Sequence, residues 1–599
     1  MFSSCRARAA VAAACGSIFI AAGPALAQAV APLERNLPPV MSGQGRLVVG
    51  PQDLSGSPDD TPLGVALSGI HLIGAKDGVA GKAGRGVRIG AIGDIARSDL
   101  ERALSPFIGQ ALSRKRIAEI QAAIATVYRA SGYPFVSVTL PPQEVTSGVL
   151  RLRVIEFRIG SVKVSGGTPG TEADIAKRVR AKPGQRIAAD ALEEDLAWLN
   201  RTPYRSVNGV FAPGDVLGRS ALALEVTRQK PWQVFGGWSN TGTRSTGLDR
   251  YFAGFGAALP GVPESYLSYQ VTGGSNFWTD PMAVGRGPEQ PNYYSQAARV
   301  VMSTGARQSL EFVPNYVATR QNDATGIFAF NNATLEIPLY YRTAISNLVP
   351  GLYAGDLILG VTGKTVSRTS YFTGVDIGGE RANLFELIAG WSVSRSDSRG
   401  VTSLDLKLIG NPGGVIGGND ATRWSSYSGG RVTDVSYVYG VGEINRVTRL
   451  PAGLNWISDL TVTAAGQPLP DTEQQGLGGL SATRGYTLDD AKVDTGAVWR
   501  NELRAPTFPL LSTSGVSGVT DRVSPYAFVD VSWGRAFGYW GVLGPISRHD
   551  YSLAGAGLGV DYTLNNNLTA SLVGGVALTD AAYSRAGAFT IQARVLVSY

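Results

Sequence analysis

Ser481-Ala482-Thr483-Arg484-Gly485-Tyr486 lies inside residues 466–493, a stretch too polar and too rich in glycine to be a strand. On both sides of it the chain alternates apolar and polar residues in the period of β-structure. A single Arg-Gly-Tyr therefore sits in an unusually long loop. Taken alone the tripeptide reads as an exposed turn, and what it means depends on what the flanking strands build.

Helical periodicity disappears after Pro231. About sixteen alternating segments follow, the first starting near Trp232 and later ones near Leu384, Asn455, Asp494, Pro525, Asn567 and Ala588. Each strand with its connection takes about 23 residues, which suits strands of about 9–11 residues crossing a membrane. In the segment near Pro525, Ala527, Val529, Val531 and Trp533 form an apolar outward row, which leaves Tyr526, Phe528, Asp530 and Ser532 facing inward. In the last segment Ile591, Ala593, Val595, Val597 and Tyr599 share one face. Short connections such as residues 260–263, 305–307 and 565–566 are interleaved with long ones such as 273–292, 410–431 and 466–493. A barrel with short turns at one end and long loops at the other requires that parity, and only the connection over 505–524 is too long for its place. Hydrocarbon offers no partner to strand N–H and C=O groups, so the barrel has to close. The expected fold is a transmembrane β-barrel of about 16 antiparallel strands over residues 231–599, with residues 466–493 as its sixth external loop.

Two compact α/β units precede it, over residues 64–157 and 158–230. In the first, a strand at 65–70 leads to a helix from Ser98, where Glu101 completes a capping-box pattern. A second helix over 115–130 repeats Ile117, Ile120, Ile124 and Val127 on one face, and strands at 135–140 and 149–156 close the unit. The second unit repeats this β-α-α-β-β order. It has a strand at 159–164, a helix capped by Thr171, a helix over 188–202 carrying Leu192, Leu196 and Leu199, and strands at 207–211 and 221–226.

The N-terminal end supplies the address. Residues 1–27 combine Arg6 and Arg8, an apolar run and Ala25-Leu26-Ala27, the layout of a secretory signal peptide. Both cysteines, Cys5 and Cys15, fall within it, so the expected mature chain has neither a disulfide framework nor a thiolate metal site. Residues 28–63 are rich in Pro, Gly and Ser and read as a linker. The formal charge of +7 is spread along the chain and gives no case for a nucleic-acid partner.

With the barrel as frame, Asp530 is a lumenal carboxylate with no local basic partner, and an inward-folded sixth loop could bring Arg484 to it as a bidentate partner. Gly485 permits a tight backbone turn, and Tyr486 packs on the barrel wall.

Here the chain resembles a known superfamily. The β-α-α-β-β units resemble polypeptide-transport-associated (POTRA) domains, and Leu199-Asn200-Arg201-Thr202-Pro203 with Pro213-Gly214 is similar to the second such domain of two-partner secretion transporters. An Arg-Gly-Tyr at the sixth-loop tip, facing Asp530 in a strand that carries Phe528, resembles the shared signature of POTRA-barrel proteins. Trp238-Ser239-Asn240 and Arg500-Asn501-Glu502-Leu503-Arg504 also look like the hemolysin secretion/activation type. There are two departures. Thr483 stands where Val or Leu is usual, and residues 28–63 make a poor helix where relatives carry one that plugs the pore.

The resemblance implies an outer-membrane protein with POTRA domains in the periplasm of a Gram-negative-type envelope. Its partners would be an unfolded secreted exoprotein, outer-membrane lipid and, during biogenesis, the barrel-assembly machinery. An insertase for other barrels and a passive solute channel are the alternatives. No enzyme, cofactor or metal is expected. Gly363-Lys364-Thr365 lacks the upstream glycine of a phosphate loop, Ile358 standing in its place, and His71 and His549 have no metal-ligand spacing.

Overall fold

The computed structural model describes residues 34–38, the strand Leu47–Val48, and residues 58–599 apart from 76, 79–83, 91, 93–94, 132, 134, 217, 324, 512–517, 543 and 566. The expected leader, residues 1–27, lies outside the described residues.

In the first α/β unit the sheet order is Gly86–Ile89, Gly69–Ile73, Val149–Glu156, Val136–Thr139. The helix Arg114–Ala130 buries Ile117, Ile120 and Ile124 against it, and Ser113 caps this helix by accepting the Arg116 N–H at 3.1 Å. Two sequence expectations need correction. The first helix, Arg97–Leu104, has Ala96 at its N-cap position and no side-chain cap bond, so the capping box at Ser98 and Glu101 does not form. The edge strand Gly86–Ile89, in a Gly-rich stretch with little alternation, is an addition to the expected order.

The second unit has the sheet order Leu47–Val48, Arg205–Pro213, Arg219–Arg228, Arg158–Ser165. Its helix Pro169–Arg178 is capped by Thr168, whose hydroxyl accepts the Thr171 N–H at 3.3 Å; Pro169 at the first helical position fixes that boundary ahead of Thr171. Leu192, Leu196 and Leu199 of the helix Ala189–Leu199 are buried against the sheet, as their spacing requires. Part of residues 28–63 is built into the fold: Leu47–Val48 pairs in parallel with Gly209 and Val210 at the sheet edge.

From Trp232 to Ser598 the strands close into one antiparallel barrel. Gln308–Phe312 and Asn315–Asn322 pair with the same two neighbours and form a single strand interrupted at Val313-Pro314, which makes sixteen. Proline has no N–H to give the ladder, so the break falls there. The first and last strands meet through Trp238 opposite Val595 and Gly236 opposite Val597, and the Tyr599 N–H donates to the Val234 carbonyl at 2.9 Å. No strand edge is left unpaired in the barrel, which satisfies the demand that hydrocarbon places on backbone polar groups.

Facing follows the alternation. Val529 and Trp533 are 54% and 62% exposed on the outer surface, whereas Asp530 between them is fully buried inside. Connections at the end bearing the α/β units are mostly short, and the opposite end carries residues 274–292, 412–436 and 466–494. The parity has exceptions. Residues 373–374 alone join Asp356–Phe372 to Val375–Asp397 at the far end, because these two strands run on as a projecting hairpin exposed on both faces at residues 375–381. The long near-end connection at 505–520 is tethered by the Asp521 carboxylate, which accepts the Leu510 and Leu511 N–H groups at 2.7 and 2.8 Å.

Candidate functional site

The sixth far-end loop turns back into the lumen. Its tip approaches the wall at glycines, backbone against backbone. Gly485 has φ +98°, and a Cβ there would lie 2.9 Å from the Val576 carbonyl; a Cβ on Gly555 would lie 1.9 Å from the Arg484 carbonyl oxygen. Only glycine fits both positions.

At that tip Arg484 is 1% exposed. Its Nε and Nη2 donate to the two oxygens of Asp530, each at 2.7 Å, and its backbone N–H donates to Asp530 Oδ2 at 3.1 Å. The guanidinium carbon lies 3.9 Å from the centroid of the Phe528 ring, so Phe528 supplies an aromatic face for the same cation. Tyr486 is buried, its hydroxyl within 2.9 Å of the Ala554 and Thr579 carbonyls and accepting the Thr579 N–H at 3.0 Å. The structure thus brings together Arg484, Gly485, Tyr486, Phe528 and Asp530.

Two partners escaped the sequence reading. Arg484 Nη1 donates to Glu502 at 2.5 Å, so one guanidinium serves two carboxylates. Glu502 also accepts from Arg504 Nε at 2.8 Å, and Arg504 reaches Asp561 at 2.7 Å. Asp530, Arg484, Glu502, Arg504 and Asp561 therefore alternate in charge across neighbouring strands, buried at the Asp530 end and partly exposed at Arg504 and Asp561, and each charge is compensated. The Arg-Asn-Glu-Leu-Arg run that carried the family resemblance held the signal for Glu502. The second correction concerns Asp530, which does have a basic neighbour: Arg500 stands opposite it on the adjacent strand. Thr483, the departure from the usual pattern, is fully buried with its hydroxyl 2.7 Å from Ser532, so a polar pair occupies the place of an apolar contact.

The loop is anchored again at its rim. Asp494, fully buried, accepts from Arg431 at 2.5 Å, from the Leu469 N–H at 2.8 Å and from the Phe537 N–H at 2.8 Å, joining three far-end loops. Deeper in, Lys364 of the rejected Gly-Lys-Thr motif pairs with Glu386 at 3.0 Å, Glu336 at 3.5 Å and Glu473 of the sixth loop. These groups line a lumenal cavity of about 510 Å³.

Residues 34–38 lie in the same lumen and turn tightly at Asn36, where the Leu37 N–H donates to the Arg35 carbonyl at 3.0 Å. Arg35 donates to Glu336 at 2.6 and 2.7 Å and to the Thr472 carbonyl at 3.0 Å. Glu34 accepts from Arg250 at 2.8 Å. No helix occurs among the described residues of 28–63, and this short strap fills part of the pore. At the near end the second α/β unit is bound to the barrel rim: Glu264 accepts from Arg178 at 3.2 Å and from Arg205, and Asp195 accepts from Arg307 at 2.8 Å. The His71 ring Nε2–H donates to the Gly84 carbonyl at 2.9 Å, and no group of metal-ligating side chains occurs among the described residues.

A sixteen-stranded barrel with a loop held in its lumen by Arg-Gly-Tyr, preceded by tandem α/β units, defines a POTRA-barrel protein of the outer membrane. Residues 84–156 match the family model of the ShlB-type POTRA domain, and residues 356–562 match that of the haemolysin secretion/activation protein ShlB/FhaC/HecB. By these two matches the chain is similar to haemolysin secretion/activation proteins over its first α/β unit and over much of its barrel, with the barrel in the outer membrane and the α/β units on the periplasmic side. It is similar to the outer membrane transporter CdiB-2 of Burkholderia pseudomallei, 29% identical over 148 residues, a match that spans 24% of each chain, about a quarter of that relative. With the outer membrane transporter CdiB of Escherichia coli strain 536 it is 22% identical over 476 residues, 76% of this chain and 75% of the relative. The solved structure of CdiB from Escherichia coli shares the fold at a TM-score of 0.62 and 18% identity, covering 96% of this chain and 95% of that one.

Proposed function

We propose that this protein translocates a partner exoprotein across the outer membrane in two-partner secretion. The POTRA domains, residues 64–157 and 158–230, capture the client unfolded, by strand addition at a sheet edge, after the leader over 1–27 has been removed. The client then threads through the barrel of residues 231–599. Arg484, Gly485, Tyr486, Phe528 and Asp530 hold the sixth loop, residues 466–493, in the lumen and reset it after passage. The chain works by binding and release with no bond-making step, and the drive comes from client folding outside the cell. Outer-membrane lipid surrounds the barrel, and the barrel-assembly machinery inserts it.

The observation that supports this reading most is the lumen itself. It is filled by two segments of the same chain, the sixth loop and the strap at 34–38, both held by ion pairs and hydrogen bonds that can exchange. A passive solute channel has no use for such fillings or for POTRA domains. An insertase is the second reading from the same superfamily, and two α/β units argue against it, since insertases carry more. Deleting the gene separates the two: loss of one secreted protein is expected, and a general loss of outer-membrane barrels overturns the proposal.

A further inference from the structure

The strap is a short peptide bound inside the pore, turned at Asn36, and the wall reads it residue by residue. Glu34 and Arg35 are adjacent and point to opposite partners. Arg250 takes the Glu34 carboxylate through Nε at 3.0 Å and Nη2 at 2.8 Å, while Glu336 takes the Arg35 guanidinium through both oxygens. Between them Tyr293 lends one hydroxyl to two groups: it donates to the Glu34 carbonyl at 2.7 Å and accepts from the Asn36 amide at 2.6 Å. Arg250 and Tyr293 are each 1% exposed and Glu336 is 3% exposed, so these receptors are built into the wall and are not surface groups met by chance.

The wall also holds more acceptors than the strap uses. Ser268 Oγ, Gln270 Oε1 and Asn315 Oδ1 are buried on the lumenal face of the same arc without a hydrogen-bond partner among the described residues. Buried polar atoms without partners are costly, and backbone N–H groups of a passing chain are donors that would satisfy them. Glu336 stands with Glu386 and Glu473 around Lys364. When Arg35 departs, three carboxylates face one ammonium, and the patch is left short of positive charge.

We infer that the arc carrying Arg250, Tyr293 and Glu336 is a binding track for an unfolded polypeptide bearing adjacent acidic and basic side chains, and that the strap at 34–38 occupies it as a stand-in for the passing client. Arg250 receives the carboxylate, the Glu336 patch receives the cation, and Tyr293 reads the backbone between them. The track rests on the translocation reading given above and adds the chemistry of the segment that the lumen prefers.

The test uses the full chain in planar lipid bilayers. The probes are two unstructured Gly-Ser peptides of about twenty residues, one carrying Glu-Arg-Asn at its centre and one carrying Gly-Ser-Asn. With Glu34→Ala and Arg35→Ala together, the charged peptide is expected to block the single-channel current at a concentration about tenfold or more below the neutral one, equivalent to about 1.4 kcal/mol. The wild-type chain, its track filled, is expected to show weaker block. Adding Glu336→Gln, or separately Arg250→Gln, is expected to erase the preference, and the heat-dependent gel mobility of the barrel reports that each variant is folded. Equal block by both peptides, or a preference that survives both added substitutions, overturns the track. A chain that secretes its partner normally yet shows no charge preference counts against the track alone, and a chain that keeps the preference but exports nothing counts against the translocation reading alone.

Discussion

Arg500 stands directly opposite Asp530 on the neighbouring strand, yet the Asp530 carboxylate is held by Arg484 of the sixth loop. The Arg500 Nη2 lies 3.5 Å from Glu502, and its Nε has no hydrogen-bond partner among the described residues. Arg484 prevails because it brings three donors at once, two from the guanidinium and one from its own backbone N–H, into a place from which water is excluded.

Glu502 changes what a charge exchange at this site can show. Arg484→Ala leaves two buried carboxylates to share the remaining cations, and losing one partner of a buried pair costs about 3–5 kcal/mol. The sixth loop is expected to become open to protease on intact cells, and secretion of the exoprotein to fall. Combining Arg484→Asp with Asp530→Arg places the new carboxylate against Glu502, so little rescue is expected from that pair alone. Adding Glu502→Gln is expected to restore part of the secretion and of the protease resistance. Full rescue without the third change would show that Glu502 has no part in the lock.

Gly555→Ala probes the close approach of loop to wall without touching a charge. The new methyl would meet the Arg484 carbonyl oxygen, a backbone atom that cannot rotate aside. The barrel closes without this contact, so its heat-dependent gel mobility is expected to stay normal while the sixth loop becomes as protease-sensitive as in Arg484→Ala. Gly557→Ala is no suitable control, because its Cβ would strike the Gly574 carbonyl at 2.0 Å and disturb the strand ladder itself.

The strands were legible because lipid on one side and a polar lumen on the other impose a period of two on nearly every segment. Expected starts at Trp232 and Asn455 coincide with the strands Trp232–Ser239 and Asn455–Ala465. The start near Leu384 is nine residues late against Val375–Asp397, because Gly378, Gly379, Glu380 and Arg381 project beyond the lipid and carry no alternation. The same parity placed Asp530 and Phe528 inward, and loop order placed Arg484 within reach of them. Glu502 was out of reach of that argument: alternation says which way a side chain faces but not how deep a loop tip sits along the strand. The strap at 34–38 was the least legible element. Five residues carry no period, and their partners lie hundreds of positions away, at Arg250, Tyr293 and Glu336.

Lys492, in the sixth loop outside the barrel strands, gives a pH dependence of known sign. It is 8% exposed, its ammonium has no hydrogen-bond partner among the described residues, and burial pushes its pKa down to about 8 despite Asp471 and Asp489 nearby. An unfolded lysine holds its proton to about pH 10.4. Between about pH 8 and that value the unfolded chain binds more protons than the folded one, so stability rises with pH across this window. Below it the buried charge is fully present and the folded state carries a cost of about 3 kcal/mol. Lys492→Met is therefore expected to raise the thermal midpoint at pH 7, and the gap from wild type should shrink as the pH approaches 10. A gap that is constant with pH would mean that Lys492 keeps its charge in the folded loop.

The rim contacts of the second α/β unit predict a stiff coupling to the barrel that two carboxylates control. Asp356 accepts from the Trp198 indole N–H at 3.2 Å, from Arg201 and from Arg342 at 3.3 Å, while Glu264 gathers Arg178 and Arg205. The helix Ile345–Leu348 at the rim is held from the domain side, where Arg180 donates to Ser346 at 3.0 Å and Glu194 accepts from it. Hydrogen bonds to charged groups contribute about 1.5–3 kcal/mol each, so neutralising both carboxylates removes a large part of the docking. With Glu264→Gln and Asp356→Asn together, amide exchange at residues 345–348 is expected to quicken about tenfold or more, since local opening governs exchange there. Among the described residues the first POTRA domain makes no hydrogen bond or ion pair to either carboxylate, so its exchange should not change. Exchange at 345–348 as slow as in the wild type would mean that apolar packing holds the domain to the rim and that these charges only orient it.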